Sequence, residues 1–375
     1  MKLAIINLTR GDLSLGYRKY LQELLPRLAR HPLVTRLEVF VPPKFVTQIS
    51  EDSAISIRPC EDNWTGLWLL RMDLAEVAPQ VVFFPSPRGF NLGGTPYVCM
   101  IRNMEPLALP CGGNAYRETL KNLARRYAAR AACRRATRIL ATSHFVKDFL
   151  IKTWRIDPDK IGIVYHGADN RPSGFEEARP GAIPSDCQEG FLFTAGSIRP
   201  ARGLEDLLRA LADLAAAGKR LPLVIAGEAD SSSPAYERSM KDLVVNLGIC
   251  NQVVWTGHLT SKEMAWCYSR ASLFIMTSRV EACPNIALEA MSHGSGCIVA
   301  DNPPLPEFFR DAARYYLPGD SRSLVEAIGA YQASSPEVQK SLRLRAQAYA
   351  SSFTWDKTAE ETVKELMLAC ESYTR

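Results

Sequence analysis

Short apolar runs of strand length alternate with longer amphipathic runs of helical period along the whole chain. This alternation admits few folds other than parallel sheets covered by helices on both faces, so the fold class read from the sequence is α/β. A first series places strands at 3–7, 37–41, 81–84, 97–101, 139–141 and 161–165, with helices near 17–28, 116–135 and 145–153. A second series places strands at 191–195, 223–226, 253–256, 273–276 and 297–300, separated by helices near 204–216, 236–247, 262–269 and 285–293. Residues 170–188 between them are rich in Pro, Gly, Ser and Glu, lack any period and read as a linker. A chain of 375 residues suits two such domains, and ligands are expected beyond the carboxyl ends of the strands.

Several function classes are set aside at this level. No apolar run approaches the ~20 residues that cross a bilayer, and the opening Met1–Asn7 turns polar too soon for a signal peptide. Ten cysteines include no Cys-x-x-Cys pair and five histidines no His-Glu-x-x-His spacing. Neither a zinc site nor a disulfide framework is therefore expected, and a cytoplasmic location fits. A net charge of +5 with no recognisable nucleic-acid module gives no reason to expect nucleic acid as a partner.

The strongest local signal follows the strand ending at Met276, in the run from Ser278 to Gly294. Pro284 suits the first helical position and Gly294 the helix end. The amides of Asn285 and Ile286 would then project beyond the sheet's carboxyl edge, where the helix dipole favours a phosphate. Glu281 and Glu289 bracket that site. Carboxylates are repelled by phosphate, so they suit neutral hydroxyls, one on a sugar and one on a ribose.

A second signal is the strand 191–195 running into Gly196, Ser197, Arg199, Arg202 and Gly203. Two guanidinium groups in such a loop can neutralise a leaving diphosphate. A weaker signal is the loop from Leu8 to Tyr17, where Gly16 lets the backbone approach a ligand. From Arg117 to Arg138 eight basic residues interleave with Leu120, Leu123, Ala124, Tyr127 and Ala131 at helical spacing. This reads as a basic amphipathic helix, either a solvated face or a surface for anionic lipid or a lipid-linked acceptor.

With these residues in place, the chain resembles the retaining glycosyltransferases of family 4, over nearly its whole length. Glu281 and Glu289 match that family's Glu-x7-Glu motif, and Glu289-Ala290-Met291 followed by Gly294 matches what comes after the second glutamate. The resemblance implies the GT-B fold: two facing Rossmann-like domains with a C-terminal helix returning to the first. The implied divisions are an acceptor-side domain over 1–170, a linker over 171–189, a nucleotide-sugar domain over 190–353 and the returning helix over 354–375, with Trp355 at its start. It assigns Glu281 to donor-sugar hydroxyls, Glu289 to the ribose, the Asn285 and Ile286 amides to the phosphates, and Gly16 to the neighbourhood of the phosphates.

Arg202 and Gly203 fall on the Lys-Gly that closes the family's phosphate loop. Ser197 replaces the usual arginine after Gly196, leaving Arg199 to reach in instead. Arg102-Asn103 stands where the family often has His-Asp, which marks a different acceptor, and Tyr165-His166-Gly167 matches the segment closing the first domain. The implied catalytic pair is Glu281 and Arg202, with Arg102, Asn103 and His166 on the acceptor side.

The implied activity is retaining transfer from a nucleotide-diphosphate sugar to a glycan or lipid-linked acceptor, as in polysaccharide or lipopolysaccharide assembly. It needs no cofactor and no metal, and is placed in the cytoplasm or on the inner membrane face. Two alternatives stay open, a nucleotide-sugar epimerase of the same fold and a non-catalytic nucleotide-sugar-binding module.

Overall fold

The computed structural model describes residues 1–9, 13–49, 54–108, 116–168, 176–185, 187–229 and 233–373. Two compact units emerge. The first comprises Met1–Leu107, Leu120–Gly167 and Thr354–Arg375, and the second is built on Ala168–Phe353.

The first unit is a seven-stranded sheet of β1 (Lys2–Ile6), β2 (Arg36–Val41), β3 (Ser56–Pro59), β4 (Val81–Phe84), β5 (Tyr97–Ile101), β6 (Arg138–Ala141) and β7 (Ile161–Ile163). Their order is β3-β2-β1-β4-β5-β6-β7, and every pairing is parallel. The helices in chain order are α1 (Leu15–Arg30), α2 (Val46–Ile49), α3 (Trp64–Val77), α4 (Glu105–Ala108), α5 (Tyr116–Arg135) and α6 (His144–Trp154). Strands buried on both faces need apolar residues at every position, and β4 and β5 are buried throughout. The strand order turns around between β1 and β4. Loops after these two strands leave in opposite directions, which opens a crevice at their carboxyl ends.

The second unit repeats the plan with β8 (Leu192–Ala195), β9 (Leu223–Ala226), β10 (Val253–Gly257), β11 (Leu273–Met276), β12 (Cys297–Ala300) and β13 (Arg314–Tyr316), in the order β10-β9-β8-β11-β12-β13. Its helices are α7 (Leu204–Ala216), α8 (Pro234–Asn246), α9 (Ser261–Arg270), α10 (Asn285–Ser292), α11 (Leu305–Phe309), α12 (Ser321–Gln332) and α13 (Pro336–Ala350). Here the order turns around between β8 and β11. The two loops singled out in the sequence, after residues 195 and 276, therefore leave from paired neighbouring strands.

The last helix, α14 (Trp355–Tyr373), belongs to the first unit, where it packs on α1, β4, β5 and β6. Trp355, Ala359, Val363, Leu366 and Ala369 are buried in that unit's core beside Tyr20, Leu24 and Leu28 of α1. Arg138 pairs with Glu365, and Thr358 Oγ1 donates to Tyr165 O at 2.8 Å. Gly167 admits the helix start, because a Cβ there would lie 2.7 Å from Thr354 C and from Trp355 Cα.

One expectation changes. Arg138, grouped with the basic surface helix, belongs instead to β6 and holds α14 through Glu365. In α5 the buried residues are Asn122, Ala129, Ala132 and Cys133, whereas Leu120, Leu123 and Tyr127 are exposed beside exposed Lys121 and Arg125. The small residues face the sheet because they allow the helix to sit close, so the bulky apolar stripe points outward. The side chain of Arg117 lies outside the described residues, as do Arg10–Asp12 and residues 170–175 and 186 of the expected linker.

Candidate active site

The β8/β11 crevice gathers the residues expected at the donor site except Gly16, which belongs to the first unit. After β8 the chain passes Gly196 and a single helical turn over Pro200–Arg202 before α7 begins at Leu204. After β11 it runs through Thr277 to Pro284 into α10. Backbone bonds tie the loops together: Arg279 N donates to Ala201 O at 2.8 Å, and Thr277 Oγ1 to Arg202 O at 2.6 Å.

Across this seam Arg202 Nη1 donates to Glu281 Oε1 at 2.8 Å and to Ser278 Oγ at 3.0 Å. Both charged side chains are largely covered, 19% and 15% exposed. A pair withdrawn from water in this way is held more firmly than a surface bridge. Gly196, at φ +119°, makes room for it, since a Cβ there would stand 2.6–2.9 Å from the Arg202 guanidinium. A side chain at 196 would be strained by its backbone and would displace Arg202.

Pro284 proves to be the N-cap of α10 rather than its first helical residue. The first helical bonds run from Ala287 and Leu288 to Pro284 O, so the Asn285 and Ile286 amides precede the internal ladder of the helix. Glu289 lies partly exposed on this helix, and the Tyr268 hydroxyl of α9 donates to its Oε2 at 3.3 Å. Burial, and then the Glu289 charge, push the Tyr268 phenol well above its ordinary pKa, so it stays a donor. Ser197 and Arg199 are partly buried on the β8 loop, and the backbone carbonyl of Arg199 accepts from Arg202 N at 2.9 Å.

The acceptor-side candidates belong to the first unit. Arg102, immediately after β5, stacks on Tyr17 with its guanidinium carbon 3.3 Å from the ring centre. His166 is buried against Tyr20, with ring centres 4.9 Å apart, and stacks on Trp355 at 6.1 Å. Asn103 is exposed, its Oδ1 accepting from Glu105 N at the start of α4. Gly16 is exposed at the second position of α1, which begins earlier than expected. Ser278 and Tyr268 were not singled out in the sequence. Ser278 stood next to a recognised motif, but nothing local marked Tyr268, whose role depends on α9 packing beside α10.

Among the described residues no group of His, Cys, Asp and Glu forms a metal cluster. None of their helices is long and apolar enough to cross a membrane.

Comparison with known proteins agrees with this architecture. The family model for glycosyl transferases group 1 matches residues 176–350, and that for Glycosyltransferase Family 4 matches residues 20–171. The chain belongs to the group 1, family 4 glycosyltransferases, of GT-B fold. It is 26% identical over 260 residues to a D-inositol 3-phosphate glycosyltransferase of Streptomyces griseus, a match covering 64% of this chain and 55% of that one. It is 23% identical over 209 residues to an O-antigen chain mannosyltransferase of Salmonella typhimurium, covering 54% and 53%. The chain thus spans about half the length of these curated relatives. The Anabaena protein HepE, solved with UDP, shares the fold at a TM-score of 0.76 and 17% identity, covering 98% of this chain and 100% of that one.

Proposed function

We propose that this protein moves a glycosyl group from a nucleoside-diphosphate sugar to a glycan or lipid-linked acceptor, with retention at the anomeric carbon. The observation that carries the reading is the Arg202–Glu281 pair standing between paired strand ends, in the same crevice as the start of α10. A cation, two polarised amides and two carboxylates suit a ligand with a diphosphate at its centre and hydroxyls on either side.

In this reading the diphosphate lies on the Asn285 and Ile286 amides. Arg202 turns toward it as its bond to the anomeric carbon breaks, with Ser197 and Arg199 beside it on the loop. Glu281 accepts hydrogen bonds from the sugar hydroxyls and Glu289 from the ribose. The acceptor hydroxyl attacks on the face the diphosphate leaves, and a diphosphate oxygen takes its proton, so no protein base is needed. Catalysis is then positioning plus stabilisation of the departing charge. UDP-sugars are the first donors to try, since HepE was solved with UDP.

The test is a panel of nucleotide sugars assayed for protection against thermal unfolding, followed by turnover with and without acceptor. A donor at about 100 times its dissociation constant adds about 2.7 kcal/mol. Nucleoside diphosphate released chiefly when an acceptor is present supports transfer. An epimer formed from donor alone contradicts it.

A lipid-linked acceptor fits the surface of the first unit. Right-handed crossovers place α3 and α5 on the same face of the sheet. There α3 exposes Trp64, 94% exposed, with Trp68, Leu69 and Met72, and α5 exposes Leu120, Leu123 and Tyr127 among basic residues. Aromatic and basic residues together suit an anionic bilayer surface. The protein is expected to sediment with vesicles containing anionic lipid and not with neutral ones. Trp64→Ser with Trp68→Ser is expected to weaken this at least about tenfold; unchanged sedimentation contradicts the assignment.

A further inference from the structure

The β1/β4 crevice of the first sheet also carries unsatisfied polar groups, and the proposed donor chemistry uses none of them. Three consecutive strand ends meet there: Asn7 follows β1, Ser86 lies two residues beyond β4, and Arg102 follows β5. Arg102 stacks on Tyr17, and its Nε donates to Pro85 O at 3.2 Å. Among the described residues no carboxylate meets its charge. Other arginines of the same unit are paired: Arg36 and Arg58 with Glu38, Arg88 with Asp62, and Arg138 with Glu365. Burial pulls the Arg102 pKa below the ordinary arginine value, the mark of a cation short of an anion.

Two neighbours point the same way. Asn7 is wholly buried. Its Oδ1 accepts from Thr9 N, Thr9 Oγ1 and the Tyr17 hydroxyl at 3.1, 2.6 and 3.2 Å, while its Nδ2 donates to nothing among the described residues. Ser86 is 8% exposed, and its Oγ has no partner there either. Buried donors are normally satisfied. Tyr17 links the Asn7 amide to the Arg102 guanidinium, and Ser86 adjoins the Pro85 carbonyl that Arg102 meets, so three neighbouring strand ends carry an amide N–H, a hydroxyl and a guanidinium with donor capacity to spare.

We infer that this crevice binds an oxyanion, a phosphate or carboxylate borne by the acceptor sugar, against Arg102 with Asn7 Nδ2 and Ser86 Oγ as further donors. The inference rests on the transferase reading and narrows its acceptor to an acidic sugar. A guanidinium matches both oxyanions, since each offers two coplanar oxygens to its fork of N–H groups. Tyr17 holds the plane of that fork by stacking.

The test is calorimetric binding of glucose 6-phosphate, glucuronate, glucose and UDP to the full chain and to Arg102→Met and Arg102→Lys, at low salt. At least one acidic sugar is expected to bind about tenfold or more tighter than glucose. That preference is expected to vanish in Arg102→Met and return in part in Arg102→Lys, with UDP binding equal in all three. The tighter of the two acidic sugars tells phosphate from carboxylate. If Arg102→Met fails to fold, Ser86→Asp, which leaves the stack on Tyr17 in place, is expected to abolish the same preference.

Equal binding of all three sugars, or an acidic preference that survives these variants, overturns the inference. Loss of UDP binding in Arg102→Met moves the oxyanion to the donor diphosphate and overturns it as well. UDP bound without any acidic preference leaves the transferase reading standing. A wild type that binds no nucleoside diphosphate brings down that reading instead.

Discussion

Glu281→Ala is expected to lower the rate of glycosyl transfer by about 100-fold or more at saturating donor, with UDP affinity little changed. The size follows from losses seen when one preorganised polar group is removed from a developing charge. Two effects combine in this variant. The sugar loses an acceptor for its hydroxyls, and Arg202 loses the partner that fixes it 2.8 Å away. Glu281→Gln separates them, since an amide oxygen still accepts from the sugar hydroxyls and from Arg202 Nη1 but no longer supplies the charge that holds the guanidinium. Because Glu281 and Arg202 touch, Glu281→Ala with Arg202→Ala is expected to lose little more than the worse single variant. Initial rates of nucleoside diphosphate release check all three. Additive losses in the double variant would mean that the Glu281 pair does not position Arg202 for the reaction.

A chain ending at Thr354 is expected to lose the cooperative unfolding of its first unit. Trp355, Val363 and Leu366 are 4%, 1% and 0% exposed, and burying such a side chain contributes about 1.5–3 kcal/mol. Together with the Glu365 pair and the packing on α1, that rivals the ~5–15 kcal/mol holding a whole domain. Gly167→Ala is the milder probe. Its Cβ forces the start of α14 to move, at about 1–3 kcal/mol as in other overpacked sites. Urea unfolding followed by tryptophan fluorescence measures both. A truncated chain that melts like the full one would mean that α14 is dispensable.

The strands were legible because parallel sheets bury both faces, which leaves apolar runs such as Val81–Phe84 and Leu273–Met276 that match the structure end to end. What escaped notice was less apolar or less periodic. β3 reads Ser-Ile-Arg-Pro on a sheet edge, and β13 is three residues long. The α3 helix carries apolar residues on its exposed side as well as its buried one, which blurs its period. In α5, too, bulky apolar residues such as Leu123 and Tyr127 are exposed.

At the site, Glu281, Arg202 and the start of α10 were readable because motif and strand end coincide in the sequence. Tyr268 and Asn7 were not. Each acts through a contact between elements far apart in the chain or through a buried donor, and neither leaves a local signature.

The proposed mechanism requires a diphosphate lying at the start of α10 with the donor sugar toward Glu281. A crystal structure of the full chain with a bound, non-hydrolysable nucleoside-diphosphate sugar tests this most directly. Phosphate oxygens within about 3 Å of the Asn285 and Ile286 amides, and Arg202 swung from Glu281 toward the diphosphate, are the predicted result. A nucleotide seated away from the β8/β11 crevice, with the Arg202–Glu281 pair undisturbed, would contradict it.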